Sequence, residues 1–162
     1  MQRDLSLYWA IAREHEAHGN IAAARAVYES IVEIAPEHAI AWVRLSELAR
    51  QSGQYRASHR SALRAASVAG ANGRWKSLPY VIQQLLGFDQ RDLIRKLVES
   101  ADWSSPHILE QSAVLAQALW LAGQYDTALR LIDHASFRVP PSHLLAYSRG
   151  NILKYLGRMQ EA

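Results

Sequence analysis

Histidines are the residues of this 162-residue chain best suited to chemistry, and two of them lie three positions apart in the segment "HEAH", His15 to His18. A zinc-protease helix needs histidines four apart, with a glutamate beside the first, so that both rings reach one metal from one face. The interval here is three. We therefore expect His15 and His18 to be structural or solvent-exposed, and the sequence predicts no metal site.

The remaining histidines are scattered, with no serine or carboxylate at a catalytic spacing: His38, His59, His107, His134 and His143. The chain contains no cysteine, so it has no thiol nucleophile and no cysteine zinc site. The segment "GANGR" at 70–74 lacks the lysine and hydroxyl residue of a phosphate-binding loop. We predict no catalytic residue, no cofactor and no enzyme activity for this segment.

Composition excludes further classes of protein. The chain is 49% hydrophobic and 20% charged, which is typical of a soluble globular protein. No apolar run approaches the roughly 18 residues of a membrane span, and acidic residues come too early for a secretory signal. The net charge is +3, without a concentrated basic patch in either half. We predict a cytoplasmic protein that binds neither nucleic acid nor membranes.

Glycines recur along the chain and reveal its organisation. They fall at intervals of 34, 34, 36 and 34 residues, at Gly19, Gly53, Gly87, Gly123 and Gly157. Small residues recur in phase with them: Ala12, Ser46, Ala116 and Gly150 lie seven before, and Ala24, Ser58, Ala128 and Ala162 lie five after. A period in this range is typical of stacked helical hairpins.

Each recurring position has a mechanical reason. Small residues that face each other let two antiparallel helices approach closely, and large apolar neighbours fill the space beside the contact. Glycine ends the first helix because it tolerates the left-handed backbone conformation. The apolar spacing is helical and not alternating, so the sequence predicts helix–turn–helix units and no strands.

These positions resemble the tetratricopeptide repeat (TPR) family over nearly the whole chain. The resemblance implies an all-α fold, a right-handed α-solenoid of antiparallel helix pairs, in a single domain over residues 1–162. We predict repeats at about 5–38, 39–72, 73–108, 109–142 and, incomplete, 143–162.

The third repeat departs from the pattern, because Tyr80 and Asp92 stand where small residues are expected. We expect two extra residues near the segment 85–90, with Asp89 capping the second helix and Asp92 in its first turn. Two interpretations are open: the repeat alters the superhelix locally, or it has drifted while packing normally.

The resemblance also implies a binding site, because in this family the first helices line a concave groove. At the corresponding positions the candidate peptide-binding residues are Trp9, Arg13, Arg44, Glu47, Arg50, Gln51, Gln117, Trp120, Tyr147, Asn151 and Lys154, with Glu16 and Val43 beside them. Tryptophan, tyrosine and arginine often anchor protein interfaces. Two alternatives are open: Trp120 and Tyr147 pack against a neighbouring helix, and the arginines and glutamates form a solvated face held by spaced ion pairs.

The predicted function is a protein–protein interaction scaffold that binds a peptide or partner segment in this groove. An alternative is the docking or regulatory arm of a larger enzyme, such as a TPR-linked sulfotransferase or glycosyltransferase, with its catalytic domain beyond Ala162. Because Ala162 falls inside a second helix, we expect the N-terminal part of a longer bacterial-type protein. Self-association through the uncapped last helix is a further prediction.

Overall fold

A computed structural model describes residues 5–71, 75–137 and 143–157, apart from the side chains of His107 and Leu144. These residues form helices and no strand, as the apolar spacing predicts. The α-helices are α1 (Leu5–Ala17), α2 (Ile21–Ile34), α3 (Ala39–Gln51), α4 (Tyr55–Ala71), α5 (Leu78–Leu86), α6 (Arg91–Ser100), α7 (Pro106–Glu110), α8 (Ser112–Leu121), α9 (Tyr125–Ser136) and α10 (His143–Tyr155). A 3-10 turn at Trp75–Ser77 precedes α5.

The helices pack as successive pairs, namely α1 with α2, α3 with α4, α5 with α6 and α8 with α9. The first helices of these pairs also stack on one another, α3 on α5, α5 on α8 and α8 on α10. The second helix of a pair contacts the next first helix at α2–α3, α4–α5 and α9–α10. The predicted all-α solenoid of helix pairs is confirmed.

The small residues lie where the helices of a pair meet. All six members of the first, second and fourth pairs are fully buried: Ala12 and Ala24, Ser46 and Ser58, and Ala116 and Ala128. Their lack of bulk lets the two backbones approach, and larger buried residues such as Leu45 and Leu115 fill the flanks. Ala162, predicted to play the same part, lies outside the described residues.

The third pair turns differently from the others. Gly19, Gly53, Gly123 and Gly157 have φ values between +71° and +75°. Gly87 instead has φ −62°, and Asp89 takes the left-handed conformation with φ +54°. The α5–α6 turn has four residues, 87–90, whereas the α1–α2, α3–α4 and α8–α9 turns have three. Only one of the two predicted extra residues therefore lies in this turn.

The predicted cap of α6 was wrong. Gln90 is the N-cap residue, and Asp89 lies one position too early because its backbone supplies the left-handed turn. The Asp89 carboxylate instead accepts a hydrogen bond from Nε of Arg91 at 2.9 Å. Asp92 does lie in the first turn of α6, as expected.

Counting from Asp89 explains why the third repeat lacks the small residues. Ile82 lies seven before Asp89 and Ile94 lies five after, and both are fully buried. The contact between α5 and α6 is correspondingly less extensive than the contacts within the other pairs. The third repeat thus keeps the helix pair, but large side chains fill the contact between its two helices where the other pairs have small residues.

No helix in the described ranges combines the length and apolar character that crossing a membrane would require.

Candidate functional site

The first helices α1, α3, α5, α8 and α10 form one surface, here called the first-helix face. All the predicted groove residues lie on these helices. Six are exposed: Arg13, Arg50, Gln51, Gln117, Tyr147 and Lys154. Five are half-buried: Trp9, Arg44, Glu47, Trp120 and Asn151.

The three aromatic candidates for the groove differ in what they contact. The Trp9 and Tyr28 rings meet in a T-shaped contact with centroids 5.0 Å apart, and the Trp9 and His38 ring centroids are 5.2 Å apart. Trp120 packs against the larger hydrophobic core, as the packing alternative holds. Tyr147, by contrast, is 67% exposed. Trp9 and Trp120 therefore serve the packing of their helices, and Tyr147 is left at the surface.

Arg44 is the centre of a charged network that joins three first helices. Its guanidinium pairs with the carboxylates of Glu16 on α1 and Glu47 on α3. Glu47 also accepts a hydrogen bond from the Gln84 side chain on α5 at 3.2 Å. The Gln84 amide oxygen in turn lies 3.2 Å from Oγ of Ser46. These contacts within the protein fix the position of the Arg44 side chain.

The electrostatics of this network favour a fixed, paired arginine. Burial by itself would lower the pKa of Arg44, but the hydrogen bond to Glu16 and the charge of Glu47 raise it. Burial raises the pKa of Glu47, while Arg44 and Arg50 oppose that shift. Because Arg44 is already paired, a partner that binds here would be recognised by the residues around the network.

A cavity of about 310 Å³ opens beside the network, between α3 and α5, and we call it the α3–α5 pocket. Its lining residues are Ile40, Val43, Arg44, Glu47, Lys76, Tyr80 and Gln111. Tyr80 is 46% exposed, and Lys76 is exposed beside it. The pocket therefore combines an apolar wall, an aromatic ring, a cation and an amide.

Sequence reasoning missed Tyr80 and Lys76, because the third repeat was counted from Gly87. Tyr80 lies nine residues before Asp89, and Arg44 lies nine before Gly53. The available signal was the residue type, since aspartate is one of the few residues other than glycine that visit the left-handed conformation readily.

The structure brings only some of the predicted residues together. Arg44 and Glu47 share the pocket, and Arg50 reaches the α5–α6 turn, where a Cβ added to Gly87 would lie 3.1 Å from its Nη1. The others, including Gln117 on α8 and Lys154 on α10, lie outside the pocket lining.

Histidine chemistry adds nothing to this site. In the "HEAH" segment, Nδ1 of His18 donates to the backbone carbonyl of Glu14 at 2.8 Å. Within the part of the chain that the structure describes, no three histidine, aspartate or glutamate residues are grouped as metal ligands would be.

Comparisons with known proteins agree with this architecture. A family model described as "Tetratricopeptide repeat" matches residues 5–48. Comparison with curated proteins gives no significant match.

Solved structures share the fold at low sequence identity. A crystal structure of MamA protein is 13% identical, with a TM-score of 0.62, and the alignment covers 96% of this chain and 84% of that one. The kinesin light chain-like protein of Podosopora anserina, with nearly identical TPR-like repeats, is 16% identical, with a TM-score of 0.63 and coverage of 99% and 92%. This chain is therefore a helical repeat protein with the tetratricopeptide-repeat fold, whose family sequence pattern is matched at residues 5–48.

Proposed function

We propose that this protein is an interaction scaffold that binds an extended partner segment across the α3–α5 pocket. The observation that carries the proposal is the juxtaposition of exposed Tyr80 and Lys76 with a cavity whose far wall is fixed by the Arg44–Glu47 ion pair. The TPR fold generally mediates protein–protein interaction, which supports a binding role for this surface.

The chemistry of the pocket indicates what the segment presents. Ile40 and Val43 offer an apolar wall, and the Tyr80 ring can cover a side chain placed against them. Lys76 makes no ion pair within the described part of the chain, whereas Arg44 already has two carboxylate partners. We therefore expect an aromatic or aliphatic side chain in the cavity, followed by a carboxylate that reaches Lys76.

Arg50 extends the site toward the α5–α6 turn. It is exposed and lies close enough to Glu47 for its charge to oppose the rise that burial causes in the pKa of that carboxyl. A second acidic residue of the segment can pair with it at the rim of the site, where charge mainly affects association rate and salt dependence. The alternative role as an arm of a larger enzyme stays a prediction, and it would use the same face.

The test is a selection of 12-residue linear peptides from a displayed library on the folded chain, followed by affinity measurement by fluorescence anisotropy. Tyr80→Ala and Lys76→Glu are each expected to weaken the selected peptides about tenfold or more. Tyr55→Ala, at an exposed tyrosine on α4, and Lys96→Glu, at an exposed lysine on α6, are the matched controls.

Melting temperatures near that of the parent would show that the variants are folded. If the selected peptides bind the pocket variants and the control variants equally well, the α3–α5 pocket is not the binding site. Failure to select any peptide against the parent protein would also contradict the proposal.

A further inference from the structure

A second groove lies on the other side of α3, between α2 and α4, and we call it the outer groove. Its volume is about 530 Å³. Trp42, Leu45 and Ala49 form its floor, whereas Val43, Arg44 and Glu47 face the α3–α5 pocket. At 3.6 residues per turn these two sets lie on opposite faces of one helix. The outer groove is therefore separate from the site proposed above.

Trp42 is a fixed aromatic surface in the floor of the outer groove. Its indole N–H donates to the backbone carbonyl of Pro36 at 2.8 Å, which fixes the orientation of the half-buried ring. The Arg64 guanidinium lies 6.0 Å from the ring centroid, at the limit of a cation–π contact. Tryptophan and arginine are both among the residue types enriched at binding hot spots.

The wall on α4 is basic. This helix contains no acidic residue, and its three arginines, Arg56, Arg60 and Arg64, recur at four-residue spacing along one face. All three are exposed, and none makes an ion pair with another described residue. Arg60 and Arg64 line the groove itself. The charge balance of the two halves of the sequence did not reveal this local concentration of positive charge.

The wall on α2 has the opposite character. Glu29 and Glu33 line it four residues apart. Arg25 lies 3.3 Å from Glu29 and also donates to the Gln54 side chain at 2.6 Å, so that its charge is already engaged. A groove with one basic and one acidic wall disfavours a uniform polyanion, because each phosphate near α2 would meet a carboxylate.

We propose that the outer groove is a second protein-docking site, which binds an amphipathic helix with acidic residues along one edge. Four residues of a helix rise about 6 Å, so glutamates four apart on the incoming helix match the spacing of Arg60 and Arg64. Lysines on its opposite edge face Glu29 and Glu33, and apolar residues between the edges cover Trp42. The charges of both walls then have partners.

The proposal gives the protein two independent docking faces. A segment in the α3–α5 pocket and a helix in the outer groove would lie on the two sides of α3. The protein would then hold two partners close together, with α3 as the shared wall. The outer groove does not depend on the α3–α5 pocket being a binding site.

The experiment uses a displayed library of 18-residue helical peptides, selected on the folded chain and measured by fluorescence anisotropy. We expect enriched peptides to carry aspartate or glutamate four residues apart. The double variant Arg60→Glu/Arg64→Glu should weaken them at least about tenfold, since it removes two ion pairs and places like charges opposite each other. Peptides with the glutamates changed to lysine should recover binding to that variant.

Arg95→Glu on α6 is the matched control, because it changes an exposed arginine that does not line the groove. Arg60→Gln/Arg64→Gln replaces the charge-reversed variant if its melting temperature falls. Tyr80→Ala should leave these peptides unaffected, which separates this site from the α3–α5 pocket.

Three results would overturn the proposal. The first is that no selected helix depends on Arg60 and Arg64. The second is that Tyr80→Ala abolishes the same binding. The third is that duplex DNA or phosphatidylserine vesicles bind more tightly than any selected helix and lose affinity in the arginine variants.

Discussion

Ser46 and Ser58 exchange hydrogen bonds across the contact between α3 and α4. Oγ of Ser46 donates to the carbonyl oxygen of Ser58 at 2.9 Å, and Oγ of Ser58 donates to the carbonyl oxygen of Ser46 at 2.7 Å. Both residues are fully buried. The corresponding positions of the first and fourth pairs hold alanines, so the second pair combines small volume with a satisfied polar contact.

Replacing Ser46 or Ser58 with alanine should lower the free energy of unfolding by about 1–2 kcal/mol, because a buried carbonyl oxygen loses a donor. The double variant should cost less than the sum of the single changes, since the two serines share one contact. Urea unfolding measures all three values. Ser67→Ala, at an exposed position of α4, is the control and should change stability by less than about 0.5 kcal/mol.

Ala128→Leu should destabilise the fourth pair by about 1–3 kcal/mol, because the fully buried Ala128 has no room for three more carbons. Thermal unfolding followed by circular dichroism checks this value. Ala22→Leu, at an exposed position of α2, should leave the melting temperature nearly unchanged. Equal melting of the Ala128→Leu variant and the parent would place Ala128 outside the helix contact.

In the third pair, we expect stability to be lost when a contact residue is made smaller, whereas in the fourth pair it is lost when a contact residue is made larger. Ile94→Ala should cost about 2–5 kcal/mol, because it opens a cavity between helices that are not close enough to collapse onto it. Ile94→Val should cost about 0.5–1.5 kcal/mol by the same measurement. A small loss for Ile94→Ala would mean that α5 and α6 can approach as closely as the other pairs.

The turn glycines should differ in their response to alanine. Gly53→Ala should cost about 1–2 kcal/mol, because φ is +71° and no atom lies within 4 Å of the added Cβ, so the backbone alone is strained. Gly87→Ala should cost less, because its φ is −62° and the nearest atom is the end of the flexible Arg50 side chain. Denaturant midpoints of the two variants compare them directly.

Alkaline pH should weaken the fold through Tyr28. Burial, together with the neighbouring Glu16, raises the pKa of Tyr28 from 10.0 to about 12. The unfolded chain therefore loses the Tyr28 proton at a lower pH than the folded chain does. The contribution of Tyr28 to the free energy of unfolding is complete below pH 10 and is lost as the pH rises toward 12. Tyr28→Phe should show a shallower fall in stability over this range than the parent, whereas Tyr55→Phe, at an exposed tyrosine, should follow the parent.

The fold could be predicted because its signals are local and repeated. Ala12, Ser46 and Ala116 stand in phase with the turn glycines, and helix pairs follow from that phase. The third repeat broke the phase, because the left-handed residue is an aspartate two positions after the glycine. Its small contact residues are then replaced by Ile82 and Ile94, which no size pattern could have revealed.

The candidate site was harder to predict, because it depends on contacts between repeats. Arg44 was identified by position, and its pairing with Glu47 on the same helix agrees with the alternative of spaced ion pairs. Its pairing with Glu16 could not be predicted, because it requires α1 and α3 to be placed in space. Trp9 lies at a groove position and turns toward Tyr28. Lys76 belongs to the 3-10 turn before α5 and stands at none of the groove positions that the family pattern gives.

The sparse contact of α6 has a consequence for how the array unfolds. Within the described residues, α6 packs against α4 and α5, and its contact with α8 is marginal at most. The buried core nevertheless continues past this point, from α3 to α10, so the weak element is α6 itself and not the whole junction between repeats. Local opening should therefore release α6 before its neighbours. Its backbone amide protons should exchange with solvent faster than those of α4 and α5.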